Sequence, residues 1–156
     1  MRAQSMTRTG QAGVMLLEAL IAILIFSIGI LAVVGMQANA VKAVGESRSR
    51  SEAAMLANQL LSQMWTDTQN VGTYAYAGSG TPPARLTNWV NDVNKLPGAV
   101  NVPPVVIINN LTVSPTGLVL GADVRIQVFW RSPEETSQGL PPHNYTVTAS
   151  VFGNQP

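Results

Sequence analysis

The sequence predicts an α+β fold in which a long N-terminal α-helix packs on a small antiparallel β-sheet. Three observations predict it. Residues 14–36 form an almost uncharged apolar segment. The segment after it carries apolar residues at three- and four-residue spacing, as in an amphipathic helix. The C-terminal half contains three segments of β-branched or alternating residues, which is typical of strands.

The apolar segment is long enough to cross a membrane. It contains one charge, Glu18, and one hydroxyl, Ser27. At 1.5 Å per residue its helix is about 34 Å long, and the hydrocarbon core of a bilayer is about 30 Å thick. We therefore predict a transmembrane helix over residues 14–36.

The basic residues around this segment predict its orientation. Arg2 and Arg8 precede it, and no basic residue follows until Lys42. Because positive charges stay preferentially on the cytoplasmic side, we expect a cytoplasmic N-terminus and an exported C-terminus.

The same helix is predicted to continue past the apolar segment. No proline occurs before Pro82, so nothing forces the helix to stop at residue 36. The continuation carries an apolar stripe at helical spacing, made of Ala53, Leu56, Ala57, Leu60, Leu61 and Met64. We predict one helix from about Val14 to about Thr66, with an amphipathic stretch over residues 37–70.

Residues 71–156 are predicted to form an exported globular α+β head. A short helix over Leu86–Leu96 ends at Pro97-Gly98. Predicted strands cover Val105–Val113, Asp123–Trp130 and Asn144–Phe152, and the segment Arg131–His143 links the last two. Because the apolar face of such a sheet needs a cover, we expect the helical stripe to pack on it.

Composition excludes several kinds of site. The chain is 46% apolar and 11% charged and has no cysteine. Disulfides, thiol catalysis and thiolate metal sites are therefore excluded. A net charge of +1 gives no general reason to expect a nucleic-acid partner. For Arg48 and Arg50 a solvated helix face is favoured over contact with lipid headgroups or nucleic acid.

Glu18 requires an explanation, because a lone carboxylate in a membrane span costs about 2.5–3.5 kcal/mol on insertion scales. If the chain is cut after Gly13, Val14 acquires a free α-ammonium group one helical turn from Glu18. The carboxylate is then able to pair with this cation in its own chain or in a neighbour. Such buried pairs act mainly as specificity devices, so we expect Glu18 to set register in an assembly.

The residues Gly13-Val14-Met15-Leu16-Leu17-Glu18, followed by Ala19–Leu24, resemble the signal of type IV prepilins. The resemblance implies a leader peptide over residues 1–13, cleavage between Gly13 and Val14 by prepilin peptidase, and N-methylation of Val14. Glycine lets an extended chain approach the peptidase closely. Prepilins usually have phenylalanine where this chain has Val14.

Within that family the chain is similar to minor pilins of the PilV or pilus-modification type. The similarity lies in Leu24–Leu31 running into Met36-Gln37, and in Trp89 followed by Leu96-Pro97-Gly98. It implies a pilin fold, partnership with other minor and major pilins and with the inner-membrane assembly platform, and a role in starting pilus assembly and in the fibre. The chain lacks the disulfide usual in major pilins. Pseudopilins of type II secretion share the N-terminal signal and are the alternative.

Other interpretations of the N-terminus are less favoured. Ala38-Asn39-Ala40 fits the cleavage site of a secretory signal peptide, but the apolar segment exceeds the usual 7–15 residues and contains Glu18. An uncleaved anchor for a periplasmic binding or enzymatic domain is the remaining possibility.

The sequence offers no convincing catalytic, cofactor or metal site. His143 is the single histidine, and Glu134 and Glu135 lie in the same predicted link. One imidazole with two carboxylates and no thiolate is a poor ligand set. We therefore predict no enzymatic activity and no cofactor. Adhesion and DNA uptake stay open as functions, and their contacts would lie in the loops at 72–104 and 131–143.

Overall fold

The computed structural model describes residues 11–153, with side chains from residue 13 onward. The elements in chain order are α1 (Gln11–Thr66), a 3₁₀ helix (Thr68–Tyr74), α2 (Thr87–Val93), a 3₁₀ turn (Ala99–Asn101), β1 (Val105–Val113), β2 (Val119–Trp130), α3 (Pro133–Ser137) and β3 (His143–Phe152). A long N-terminal helix packs on a three-stranded antiparallel sheet, which confirms the predicted α+β fold. The predicted leader residues Arg2 and Arg8 lie outside the described part of the chain.

The chain forms two compact units, the first ending at Val44 and the second beginning at Gly45. The second stretch of α1 therefore belongs to the same unit as the sheet. The predicted divisions at residues 36/37 and 70/71 separate stretches by their hydropathy, and they stay predictions. The amphipathic stretch of the helix is part of the core of the head.

In the first unit α1 is exposed on all sides. No proline or capping residue interrupts it, and apolar residues such as Leu16, Leu24 and Leu31 are each more than half exposed. Its helical state comes from local backbone hydrogen bonds and from strong helix formers such as alanine and leucine.

In the second unit α1 buries the predicted stripe. Ala53, Leu56, Ala57, Leu60 and Met64 are buried, and Leu61 is partly buried against the same core. Trp89 on α2 packs in the same core as this stripe, and its indole N–H donates to the backbone carbonyl of Leu56 at 2.9 Å. The prediction that the stripe covers the sheet is confirmed.

The sheet has the order β1-β2-β3 with both pairs antiparallel. On β2, Val124 lies opposite Ile108 of β1 and Ala149 of β3. The even-numbered residues of β2 from Ala122 to Trp130 are buried, so one face of the sheet closes the core.

Strand bounds follow the prediction closely, although β2 and β3 both begin earlier than predicted, β3 by the single residue His143. β1 covers the predicted Val105–Val113, while β2 begins at Val119 rather than Asp123. The extension is held by Gln69, whose side-chain oxygen accepts from the Val119 N–H at 3.0 Å and whose amide donates to the Val119 carbonyl at 3.4 Å. The side chain of Gln69 thus pairs with the first residue of the strand as a neighbouring backbone would.

The link between β2 and β3 is more ordered than predicted. Ser132 and Glu135 form a capping box that starts the short α3. The chain leaves β2 beside Gly98, where a Cβ atom would come within 2.6 Å of the Arg131 carbonyl oxygen. Gly98 also has φ 65°, so both the turn and the close approach require glycine.

Candidate functional site

The three residues predicted to act at the N-terminus lie on one continuous helix. Gly13, Val14 and Glu18 all belong to α1, and Val14 and Glu18 are exposed. Residues four apart lie on the same side of a helix, about 6 Å apart along its axis. Among residues 11–153, Glu18 has no hydrogen-bond or ion-pair partner, so the structure leaves its carboxylate open to an external cation.

The bond between Gly13 and Val14 lies in helical backbone, because the described helix begins at Gln11. The resemblance to prepilins implies that the peptidase takes this bond in an extended chain. The helix forms since nothing nearby stops it, and glycine lowers helix stability by only about 1 kcal/mol relative to alanine.

The helix around these residues is long and apolar enough to cross a membrane once. Over Gly13–Thr66 it contains an 18-residue window with a mean hydropathy of 2.8, and none of that window is buried. The Ser27 hydroxyl donates to the Ile23 carbonyl at 2.7 Å, so this polar group is satisfied inside the helix. Glu18 is therefore the group in residues 14–36 whose side chain still needs a partner.

A shallow apolar groove runs along the same stretch of α1. It has a volume of about 590 Å³ and is lined by Phe26, Gly29, Ile30, Val33, Val34 and Gln37. A Cβ atom at Gly29 would meet nothing within 4 Å, so the glycine leaves open surface. Small residues at such positions let helices approach each other closely in a membrane.

In the head, His143 joins three elements. Its Nε2 lies 2.8 Å from an Oε1 of Glu135, its Nδ1 lies 3.7 Å from an Oε1 of Glu46 on α1, and its ring stacks on Trp130 at 5.8 Å between centroids. The predicted link therefore does bring His143 and Glu135 together, whereas Glu134 is exposed on α3. The cluster ties the helix to the sheet.

Hydrogen bonds from His143 and Ser132 lower the pKa of Glu135 to about 2. The Ser132 N–H donates to an Oε2 of this carboxylate at 2.9 Å, which completes the capping box. Because the carboxylate already accepts hydrogen bonds from both neighbours, the pair is suited to holding structure. Among the described residues, no group of three or more histidine, aspartate and glutamate side chains is placed to hold a metal ion.

A second polar cluster centres on Asp67, just after α1. Its carboxylate accepts from the Asn70 amide at 2.6 Å and from the Tyr74 hydroxyl at 2.9 Å, and it pairs with Arg85. These contacts lower the pKa of Asp67, and the hydrogen bond from Asn70 has the largest effect. Burial of the Tyr74 hydroxyl and its hydrogen bond to Asp67 raise the pKa of Tyr74. The cluster fixes the turn that leads out of the helix.

A third polar cluster lies on the outer face of the sheet. Asp123 accepts from the Ser150 hydroxyl at 2.6 Å and from the Asn110 amide at 2.7 Å, and these bonds lower its pKa. A cavity of about 590 Å³ opens above it, with Arg125 and Thr148 in its lining. The carboxylate is satisfied within the chain.

Sequence reasoning missed Gln69, Asp67 and the pairing of Glu135 with Ser132. For Glu135 the signal was present, since Ser132-Pro133-Glu134-Glu135 has the spacing of a capping box with proline at the first helical position. Gln69 and Asp67 act over long range or in a turn, and no periodic pattern marks such residues.

Compared with known proteins, the chain matches no family model, no curated protein and no solved structure. The apolar helix and the position of Glu18 are therefore the observations on which a function has to be argued.

Proposed function

We propose that the chain is a minor pilin: a structural subunit inserted in the bacterial inner membrane, cut after Gly13 by prepilin peptidase, and assembled with other pilins into a type IV pilus. One observation carries the proposal. Glu18 stands four residues after Val14 on an apolar helix, with no partner among the described residues.

The exposed helix supports an assembly role. In water, apolar side chains exposed all round a helix are unfavourable at about 25 cal/mol per Å². Lipid covers them before assembly, and the equivalent helices of neighbouring subunits cover them afterwards. The groove beside Gly29 gives such a neighbour a place to approach.

The position of Glu18 supports cleavage after Gly13 as the step that precedes assembly. Cleavage after Gly13 creates an α-ammonium group on Val14, which is charged at neutral pH. This cation lies one turn from Glu18 in the same chain and is equally able to meet Glu18 of a neighbouring helix. A pair formed between neighbours favours one axial register over others, which is the best-attested use of a buried ion pair.

Cleavage requires α1 to open locally at Gly13. Glycine keeps this opening inexpensive, since it stabilises a helix less than other residues except proline. In this proposal the head then stays outside the membrane, with its own core intact.

A pair of substitutions tests the role of Glu18. We expect Glu18→Ala to insert in the membrane and be cut after Gly13, but to enter filaments at least about tenfold less than the wild type, because the register pair is lost. Ser27→Ala is the matched control, since its hydroxyl bonds its own helix. The measurement is quantitative blotting of sheared filaments against membranes.

Normal incorporation of Glu18→Ala would show that the carboxylate has no assembly role. Co-purification distinguishes a type IV pilus from a type II secretion pseudopilus. Recovery of the chain with pilus components supports the proposal, and recovery with type II secretion components indicates a pseudopilin instead.

A further inference from the structure

The cavity on the outer face of the sheet is the feature that the proposed function leaves unused. Its volume of about 590 Å³ lies within the roughly 300–1,000 Å³ of small-molecule sites. Such sites are usually lined mainly by apolar side chains. Here the lining includes six polar side chains, those of Asn109, Asn110, Asp123, Arg125, Thr148 and Ser150. A ligand for this cavity therefore needs hydrogen-bonding groups over most of its surface.

A bulge in β1 places two consecutive side chains on this one face. Successive residues of a regular strand face opposite sides of a sheet, and Val106 and Ile108 accordingly lie against the core. By the same alternation Asn110 would follow them. Instead β1 changes register after Asn109, and Asn110 has φ 50°, so its amide donates to Asp123 at 2.7 Å. A left-handed non-glycine residue is strained, and bulges that redirect a side chain are concentrated next to functional sites.

Three polar side chains in the lining have no partner in the chain. Within residues 11–153, the side chains of Asn109, Arg125 and Thr148 are exposed and make no hydrogen bond or ion pair. Asp123 accepts one hydrogen bond on each carboxylate oxygen. Each of these oxygens keeps a second lone pair for a donor from outside the chain. The cavity thus offers a guanidinium, an amide, a hydroxyl and carboxylate lone pairs to a ligand.

Strand pairing arranges these groups in two neighbouring rows. Asp123 on β2 stands between Asn109 of β1 and Ser150 of β3. Arg125 lies two residues further along β2, with Thr148 of β3 beside it. Residues two apart in a strand face the same side, about 6.6 Å from each other. One row therefore presents a carboxylate and an amide, and the next row presents a positive charge and a hydroxyl.

We propose that this face of the sheet binds an acidic saccharide, whose carboxylate pairs with Arg125 and whose hydroxyls donate to Asp123. Asn109 and Thr148 bond further hydroxyls of the same ligand. A guanidinium binds a carboxylate through two parallel hydrogen bonds, which fixes the orientation of the sugar. This proposal goes beyond the pilin proposal and does not depend on it.

Charge complementarity selects a sugar acid over other anions. The guanidinium of Arg125 and the carboxylate of Asp123 together carry no net charge, so a phosphate dianion would bring its second charge against Asp123. A sugar acid carries a single negative charge, and its hydroxyls are donors that a carboxylate accepts well. The ligand class therefore matches both rows of the cavity.

Titration of the full chain with D-glucuronate tests the site. The chain is held in micelles of a detergent without a sugar headgroup, at low salt so that the ion pair is not screened. Saturation-transfer NMR should show saturable binding of D-glucuronate. D-glucose, which has the same ring without the carboxylate, and inorganic phosphate should each bind at least about tenfold more weakly.

Substitutions in the lining assign the binding to this cavity. Arg125→Gln should weaken D-glucuronate binding about tenfold or more and D-glucose binding far less, because it removes the charged pair. Arg50→Gln is the matched control, since Arg50 is an exposed arginine on α1 outside the lining and its loss changes the net charge equally. Thr148→Val keeps the shape of the side chain and should weaken both sugars several-fold. Circular dichroism checks that the variants are folded.

Three results would overturn the saccharide site. One is the absence of saturable D-glucuronate binding up to tens of millimolar. Another is equal weakening by Arg125→Gln and Arg50→Gln, which indicates attraction by net charge alone. The third is phosphate binding as tight as that of D-glucuronate, which indicates a general anion site.

Discussion

The two ends of α1 are built from similar residues and reach opposite states. Leu24 in the first unit is 61% exposed, whereas Leu60 in the second unit is fully buried. Both belong to one continuous helix. Helix formation is therefore a local property here, and burial depends on what lies beside the helix. The second stretch is covered by residues of its own chain, while the first stretch stays exposed among the described residues.

The charged residues show the same contrast. In the head, Asp67, Asp123 and Glu135 each accept hydrogen bonds from side chains of the same chain. Glu18 has no such partner within residues 11–153. The head thus satisfies these carboxylates within the chain, whereas the apolar stretch of α1 leaves Glu18 without a partner among the described residues.

Matched leucine substitutions give the largest expected difference between the two regions. Leu60→Ala should lower the free energy of unfolding of the head by about 2–5 kcal/mol, because it opens a cavity in a fully packed site. Leu24→Ala should leave it unchanged within about 0.5 kcal/mol, since its side chain contributes nothing to that core. Thermal unfolding followed by near-ultraviolet circular dichroism makes the comparison. Equal losses would mean that the two regions fold as one cooperative unit.

A pair of tryptophan substitutions sharpens the comparison within the second unit. Trp89→Phe should cost about 1–3 kcal/mol, because it removes indole volume and the hydrogen bond to the Leu56 carbonyl. Trp65 on α1 is 47% exposed, so Trp65→Phe should stay within about 0.5 kcal/mol. Denaturant unfolding measures both. A larger loss of unfolding free energy in Trp65→Phe than in Trp89→Phe would show that Trp65, and not Trp89, makes the main tryptophan contact between α1 and the head.

The pH dependence of the head should be smaller than either core effect, since its carboxylates are partly solvated. The pKa of Glu135 is lowered from 4.5 to about 2, so its stabilising contribution is present above pH 4.5 and is lost as pH falls from about 4.5 to about 2. The pKa values of Asp67 and Asp123 are lowered from 3.8, so the stabilising contributions of these two carboxylates are lost as the pH falls below about 3.8.

Glu135→Gln should therefore flatten the fall in melting temperature between about pH 4.5 and 2. Glu46→Gln should change this fall in melting temperature less. The Glu46 carboxylate oxygen lies 3.7 Å from a ring nitrogen of His143, whereas the Glu135 oxygen lies 2.8 Å from the other ring nitrogen. An unchanged slope in Glu135→Gln would show that this carboxylate is not held ionised by its neighbours.

Residue patterns predicted the regular elements well. The alternation in β2 and β3 and the spacing of Ala53, Leu56 and Leu60 each report one buried face, so these elements followed from them. They predicted less where a single distant contact decides the structure. The early start of β2 depends on the side chain of Gln69, fifty positions away from Val119, and no local pattern encodes that.

The roles of the candidate site residues stay predictions. Gly13, Val14 and Glu18 were identified from charge, spacing and the resemblance to prepilin signals, and the structure shows that they lie on one helix. The bulge that turns Asn110 toward Asp123 is invisible in a sequence, since it depends on how β1 pairs with β2.

The mass of the mature chain tests the central claim most directly. Protein recovered from bacterial membranes is digested and its N-terminal peptide is identified by mass spectrometry. The account predicts that this peptide begins at Val14, with or without one methyl group on its α-nitrogen. A peptide that begins at Val41, after Ala38-Asn39-Ala40, would contradict it, because such a cut removes Glu18 from the mature chain. A peptide that retains residues before Val14 would also contradict it, because Val14 would then carry no α-ammonium group.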